Sequence, residues 1–201
     1  MRGYFGIGVE RVSKPMNAGA IFRSAHAFGG SFVFTVDAAY QRRTGARADT
    51  SDSLAHMPFY AFPTIDQMVL PDDCRLVGIE LTDDAVMLPS FRHPSRCAYV
   101  LGPERGSLTP EMVEKCDFII KIPTSFCINV SVAAAIVMYD RSVSMGRFAE
   151  RPVRSGGPLA EMPEHRHGAP VLRTLDAFRD EPPLGEGFDQ DGVGSKAPQK
   201  D

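Results

Sequence analysis

Short apolar runs alternate with segments of helical periodicity along residues 1–150, and this alternation constrains the fold more than any other feature. YFGIGVERV (4–12) alternates as a strand does, and NAGAIFRSAHAFGG (17–30) follows with helical spacing and ends on two glycines. SFVFTVD, RLVGIEL, CAYVLG and FIIKIP are further short runs rich in β-formers. Because these runs are mostly apolar on both faces, we predict an α/β fold with a mainly parallel sheet flanked by helices.

Two later helices are predicted from their own signals. Thr109 and Pro110 form an N-cap and first position for PEMVEKC, and a long final helix is expected from about Val130 to Phe148. In α/β folds ligands bind at the carboxyl ends of the strands. The loops that follow the strands are therefore where functional residues are expected.

The composition changes at residue 151. Residues 151–201 contain seven prolines and seven glycines, against nine and eleven in the first 150 residues. Within this segment only VLRTLDAFRD (171–180) has helical spacing, and two prolines follow it. We predict one domain at 1–150 and a Pro/Gly-rich, largely disordered C-terminal tail at 151–201.

Several classes of protein are excluded. No run approaches the roughly 18 apolar residues that a membrane span needs. The four cysteines form no CxxC pair and predict neither a zinc site nor a redox motif. With a net charge of −3, a nucleic-acid partner would need a local basic patch. The first residues contain no apolar signal region, so we expect a cytoplasmic protein.

The first candidate motif lies in the helix after the first strand. Its apolar residues share one stripe, and Arg23 points about 150° away from it at 100° per residue. Arg23 is either a solvated surface residue, with Asn17 as a simple N-cap, or a guanidinium held at a cleft to contact phosphate.

Two further motifs follow later strands. Gly102 and Gly106 flank Glu104 in a pattern that is neither GxGxxG nor the GxxxxGK[ST] phosphate loop, so a nicotinamide or ATP site is not supported. These glycines indicate either a tight turn or a ligand lying close to the backbone. In IPTSFCINVSVAAAIVMY (122–139) a strand ends in a polar loop, and Asn129 is a natural cap for the helix that follows.

Together the three motifs resemble the SPOUT superfamily of RNA methyltransferases, in particular its SpoU/TrmH-like 2'-O-ribose branch, over about residues 4–148. The family's first motif, N-x-G-A-I-x-R-x-A-x-A-F-G, is matched by Asn17, Gly19, Ala20, Ile21, Arg23, Ala25, Ala27, Phe28 and Gly29. The second is matched by Gly102, Pro103 and Glu104, and the third by Ile122, Pro123, Asn129, Val130, Ser131, Val132 and Ala133. The chain departs from the usual third motif at Thr124 and Cys127, where Met and Ser are common.

The resemblance implies a deep C-terminal trefoil knot, a homodimer with the active site at the subunit boundary, and S-adenosylmethionine as cofactor. It implies cofactor contacts at Glu80, Leu101, Gly102, Gly106, Ile122, Thr124, Cys127 and Ile128. It also implies Arg23 as the catalytic candidate, supported by Asn17, Glu104 and Asn129. No metal is required for such a methyl transfer.

Two loop clusters could supply a basic surface for RNA. The first is Arg42, Arg43 and Arg47, and the second is Arg92, His93 and Arg96, with Tyr40 and Phe91 nearby as rings on which a base could stack. The alternative for each cluster is a solvated surface. The leading hypothesis is 2'-O-methylation of tRNA; rRNA as substrate, and a non-catalytic knotted RNA-binding protein, stay open as alternatives.

Overall fold

The structure, a computed structural model, describes residues 3–38, 56–146, 148–149, 151–152 and 155–157. Its internal contacts divide the chain into two units, 1–148 and 149–201, and the sheet and its helices belong to the first. The tail expected at 151–201 falls almost wholly outside the described residues, as does the helical stretch at 171–180. The domain division at residue 150 therefore stays a prediction.

Seven parallel strands form one sheet, which confirms the predicted α/β class. The strands are β1 (Tyr4–Glu10), β2 (Phe32–Val36), β3 (Phe59–Phe62), β4 (Arg75–Ile79), β5 (Val86–Met87), β6 (Arg96–Leu101) and β7 (Phe118–Lys121). Their order is β3-β2-β1-β6-β4-β7-β5, and every neighbouring pair is parallel. Three α-helices are described, α1 (Pro15–Ala27), α2 (Pro110–Lys115) and α3 (Val130–Met145), with a 3₁₀ turn at Leu88–Ser90.

The sheet is covered on both faces, which explains why its central strands are apolar throughout. On one face α1 and α3 pack over a core that includes Ile7, Val77 and Tyr99. On the other face Phe34, Val100 and Met112 of α2 belong to a second core. Gly8 is needed in β1, because a Cβ there would lie 2.4 Å from the ring of Phe34.

Two helix boundaries and two strands differ from the prediction. The first helix begins at Pro15 with Lys14 as its N-cap, so Asn17 lies inside the first turn and does not cap it. The final helix ends at Met145 rather than near 148. Strands β3 and β5 were not predicted, because β3 is an edge strand of four residues and β5 has only two. In the described part of the chain no helix is both long enough and apolar enough to cross a membrane.

The topology brings four strand ends to one edge of the sheet. Since β1, β6, β4 and β7 are neighbours and parallel, the loops that follow Glu10, Leu101, Ile79 and Lys121 meet there. We call this the carboxyl edge, and we call the opposite edge, where β4 and β6 begin at Arg75 and Arg96, the amino edge.

Candidate active site

A cavity of about 280 Å³ opens at the carboxyl edge. It is lined by every predicted cofactor residue and by three of the four predicted catalytic residues: Asn17, Glu80, Leu101, Gly102, Glu104, Gly106, Ile122, Thr124, Cys127, Ile128 and Asn129. Lys14, Ile79, Leu81, Pro103, Lys121, Val130 and Ala133 complete the wall. The three sequence motifs thus converge on one cavity, although they are far apart in the chain.

Glu104 joins the loop after β6 to the start of α1. Its Oε2 accepts hydrogen bonds from the backbone N–H of Ser13 at 3.1 Å and from the Ser13 hydroxyl at 2.9 Å. Its Oε1 accepts from the backbone N–H of Lys14 at 2.9 Å and from Nδ2 of Asn17 at 3.0 Å. The carboxylate therefore holds a backbone turn and one side chain in place.

These contacts keep Glu104 ionised. Partial burial by itself raises the pKa of the carboxyl, but hydrogen bonds from Asn17 and from backbone N–H groups outweigh it and lower the pKa to about 2. A carboxylate with so low a pKa, and with four donors already bound, is poorly suited to abstract a proton. Its contacts are those of a residue that positions its neighbours.

Asn17 and Asn129 continue the chain of hydrogen bonds from Glu104. Nδ2 of Asn129 donates to Oδ1 of Asn17 at 3.3 Å, which links α1 to the start of α3. Oδ1 of Asn129 accepts from the backbone N–H of Ser131 at 2.8 Å, so Asn129 is the N-cap of α3, as predicted. Both amide orientations follow from this network, because each oxygen faces a donor.

Two further carboxylates, Glu80 and Glu10, fasten the loop after β6. Glu80 accepts from the backbone N–H of Leu108 at 2.8 Å and from that of Leu81 at 2.9 Å. Glu10, buried at the end of β1, accepts from the backbone N–H of Thr109 at 2.9 Å and from its hydroxyl at 2.6 Å. Sequence reasoning missed Glu10, since a single acid at the end of an apolar strand carries no distinctive spacing.

The glycines of this loop shape its turn. Gly106 has φ +134°, a conformation that side chains rarely adopt. A Cβ on Gly102 would lie 2.9 Å from the backbone nitrogen of Leu108. Both positions support the tight-turn interpretation, because it is the loop's own backbone geometry that requires glycine here.

Arg23 lies outside the cavity wall. It is exposed on α1, about 1.7 turns or 9 Å beyond Asn17 along the helix axis. The sequence prediction that it points away from the apolar stripe agrees with this exposure. Arg23 is not part of the cavity wall that contains Asn17, Glu104 and Asn129.

Two of the predicted RNA contacts, Arg92 and Arg96, are among the described residues, and neither lines the cavity. Tyr40, Arg42, Arg43 and Arg47 are outside the described residues. Arg92 and Arg96 are exposed at the amino edge, and β6 separates Arg96 from the cavity by about 17 Å. Arg96 also forms an ion pair with Asp73 at 3.0 Å.

His93, which the sequence grouped with this basic cluster, is buried, and this corrects that grouping. Its ring nitrogens contact the hydroxyl of Tyr99 and, at 2.9 Å, the carboxylate of Asp140. Burial lowers the pKa of His93, and Asp140 offsets this only in part. His93 is thus a neutral core residue and is not accessible to RNA.

Two lysines in the cavity wall were also missed by sequence reasoning. Nζ of Lys121 donates to the backbone carbonyls of Thr82 and Asp83 at 2.7 and 3.0 Å. Lys14 is exposed at the start of α1. Within the described segments, no group of three or more His, Cys, Asp or Glu side chains is placed to hold a metal ion.

Two bacterial RNA methyltransferases are similar to this chain in sequence. The tRNA (guanosine(18)-2'-O)-methyltransferase of Escherichia coli is 29% identical over 177 residues, covering 83% of this chain and 76% of that protein. A 23S rRNA (guanosine-2'-O-)-methyltransferase of Nitrosomonas europaea is 29% identical over 162 residues, 75% of this chain. This chain spans only 58% of the length of that rRNA enzyme.

The fold is shared with solved structures. The SpoU methyltransferase AviRb from Streptomyces viridochromogenes, in complex with AdoMet (S-adenosylmethionine), superimposes with a TM-score of 0.64 at 22% identity. The match covers 73% of this chain and 60% of AviRb. This likeness supports the fold expected from the sequence, and the bound AdoMet is a property of AviRb.

A profile of the SpoU rRNA methylase family matches residues 5–139. That match runs from β1 into α3 and includes every residue of the cavity wall. Because the matched region is most of the chain and contains the whole site, the chain belongs to the SpoU rRNA methylase family.

Proposed function

We propose that this protein transfers a methyl group from S-adenosylmethionine to a ribose 2'-hydroxyl of RNA, and that its substrate is tRNA. The single observation that carries this proposal is the Glu104–Asn17–Asn129 network at the cavity. It orients two amides beside a pocket without using a metal or a titrating base. The tRNA methyltransferase of E. coli aligns with more of this chain than the rRNA enzyme does, and this favours tRNA.

The cavity fits S-adenosylmethionine. Ile79, Leu101 and Ile122 provide apolar surface for the adenine, and Glu80 and Glu104 place negative charge near a cationic ligand. When bound, S-adenosylmethionine supplies a methyl group on a sulfonium that leaves as a neutral thioether. Thr124 and Cys127 line the wall where the family has Met and Ser, and Cys127 offers a weaker hydrogen bond than serine would.

The residues of the network align the acceptor hydroxyl. Glu104 fixes Asn17, and Asn17 in turn fixes Asn129, so each amide keeps one N–H free of these contacts. Such amide donors orient the ribose and stabilise negative charge on the 2'-oxygen as its proton leaves to water. Holding the reactants aligned is worth several kcal/mol, about 7 to 11 kcal/mol in the most favourable cases.

Arg23 acts from a second copy of the chain. It shares one exposed face of α1 with Met16, which is 72% exposed, and α1 packs against α3. On α3 an exposed apolar stripe with the spacing of a helix–helix seam runs through Val132, Ile136, Tyr139 and Val143. Joining these faces in a homodimer buries the stripe and places Arg23 at the subunit boundary.

Arg23 serves as an electrostatic group in this arrangement. A guanidinium stays protonated in almost every protein environment, so it stabilises the developing alkoxide and holds the adjacent phosphate. Proton abstraction by Arg23 is the alternative role. RNA contacts at Arg42, Arg43, Arg47, Arg92 and Arg96, and action in the cytoplasm, belong to the same proposal.

We also propose that the C-terminal part of the sheet is knotted. Strand β6 enters between β1 and β4, and β7 then pairs with the far side of β4. The loop after β6 is fastened to β1 through Glu10 and to the loop after β4 through Glu80. This strand order and these contacts support a trefoil knot of the kind that the family resemblance implies.

The test is transfer of labelled methyl groups from S-adenosylmethionine into separated tRNA and rRNA from cells that lack this protein, with Arg23→Ala in parallel. Label in tRNA that is lost with Arg23→Ala supports the proposal. Label in rRNA alone shows that the substrate is rRNA and not tRNA. Label in neither pool, with the cofactor still bound tightly, contradicts the methyltransferase function and favours a non-catalytic RNA-binding role.

A further inference from the structure

Phe126 is an aromatic side chain left in solvent beside the cavity. Its residue is 77% exposed, which exceeds the exposure of the other large apolar side chains in the described part of the chain. It lies in the loop between β7 and α3, between Thr124 and Cys127, which both line the cavity. Neither the fold nor the network around Glu104 uses this ring.

Lys14 places a positive charge at the same cavity. Its backbone N–H is bound by Glu104, which fixes the main chain, while the residue is exposed and lines the cavity. Within the described ranges its ammonium has no ion-pair partner. Lys121, the other lysine of the wall, is already bound to two backbone carbonyls.

An aromatic face and an ammonium beside a methyl-donor pocket match the two parts of a nucleotide. Bases stack on aromatic rings whatever their sequence, and ammonium groups pair with backbone phosphates. A base inside a duplex has both faces covered by its neighbours, so it offers no face to a ring. Only an unpaired or extruded nucleotide can use both groups at once.

We propose that Phe126 and Lys14 form a subsite for one unpaired RNA nucleotide, with its base stacked on the Phe126 ring and a phosphate held by the Lys14 ammonium. This inference rests on the proposed function, because it states which form of RNA that site accepts. The subsite selects single-stranded or looped segments over regular helix. It also sets the ribose of the stacked nucleotide next to the amides of Asn17 and Asn129.

The experiment measures binding of a fluorescein-labelled, mixed-sequence single-stranded oligoribonucleotide, and of its blunt duplex, to the full chain with S-adenosylmethionine present. We expect Phe126→Ala to weaken single-strand binding about 5- to 150-fold, and Phe126→Trp to retain it. Lys14→Gln reduces the slope of log affinity against log salt by about one, because one phosphate contact is lost. Duplex binding changes with neither Phe126 variant.

Matched controls lie away from the cavity. Tyr60, on the edge strand β3, is 49% exposed, and Tyr60→Ala leaves single-strand affinity unchanged. Lys115, exposed in the last turn of α2, serves likewise through Lys115→Gln. Sedimentation of each variant is measured alongside.

Unchanged single-strand affinity in Phe126→Ala overturns the subsite. A loss of dimer in that variant also overturns it, since the ring would then belong to the contact between copies. Methyl transfer by the wild-type protein is scored separately. RNA binding that depends on Phe126, without any methylation, refutes the proposed function and keeps the subsite. Methylation whose KM for RNA is unchanged in Phe126→Ala refutes the subsite alone.

Discussion

The two edges of one sheet use polar side chains in opposite ways. At the carboxyl edge Glu104, Asn17 and Asn129 join loops from distant parts of the chain and leave a cavity open beside them. At the amino edge Arg141 of α3 is fully buried, and its guanidinium donates to the backbone carbonyls of Pro94, Ser95 and Tyr4. At the carboxyl edge hydrogen-bonding groups remain available beside a cavity. At the amino edge they bind other parts of the same domain.

The difference predicts which property of the protein each edge controls. Arg141 lies 5.3 Å from the centre of the Phe5 ring and within hydrogen-bonding distance of the Tyr99 hydroxyl, which His93 also contacts. A buried cation stabilises only when such partners surround it, since an uncompensated buried charge is costly. The amino edge is therefore expected to govern stability, and the carboxyl edge is expected to govern catalysis.

The largest expected effect is at the amino edge. Arg141→Met removes a fully buried cation and the donors to three backbone carbonyls, so we expect the free energy of unfolding to fall by about 3 kcal/mol or more. Chemical denaturation measures this. Arg75→Met is the control: Arg75 is exposed and pairs with Asp117 at 2.6 Å, and its loss is expected to cost no more than about 1 kcal/mol. If both variants lost the same free energy of unfolding, the buried cation would stabilise this edge no more than the exposed one.

The corresponding change at the carboxyl edge affects activity. Glu104→Gln replaces an acceptor oxygen by a donor, so Asn17 or a backbone N–H loses its partner and the amide network shifts. We expect kcat for methyl transfer to fall about 100-fold, because small misplacements of reacting groups have effects of that size. Glu111→Gln, in the first turn of α2, is expected to leave kcat unchanged. A Glu104→Gln variant with normal kcat would contradict the positioning role.

The smallest expected effect is on stability as a function of pH, where the two edges respond in different pH ranges. Because burial lowers the pKa of His93 below its ordinary 6.5, the unfolded chain binds its proton more tightly, and stability is lost as pH falls below about 6.5. Glu104, with its pKa lowered from 4.5 to about 2, contributes stability that is lost only as pH falls from about 4.5 towards 2.

Denaturation as a function of pH measures the two windows. His93→Asn is expected to flatten the change near pH 6, and Glu104→Gln the change below pH 4.5. His56→Asn, at an exposed histidine, is the control for the first window. A wild-type stability that stays constant between pH 7 and pH 5 would show that His93 titrates alike in the folded and unfolded chain.

Much of the site could be predicted from the sequence because its residues sit in three compact motifs. Asn17, Glu104 and Asn129 were each found in a segment that follows a strand, and the parallel topology brings these segments together. The hydrogen bonds of Glu104 to Ser13 and Lys14 could not be foreseen, because they depend on how the loop after β6 lies over the start of α1. The same limit hid Glu10, whose partner Thr109 is 99 residues away.

Local periodicity determined the parallel α/β class, the capping of α3 by Asn129 and the outward direction of Arg23, since each depends on neighbours within one element. Only the tertiary structure decided that His93 is buried while Arg96 is exposed, although both come from the same short basic cluster. It also decided that Arg23 is not part of the cavity wall. Burial and ionisation depend on which distant segments pack against a residue, and no local spacing encodes those contacts.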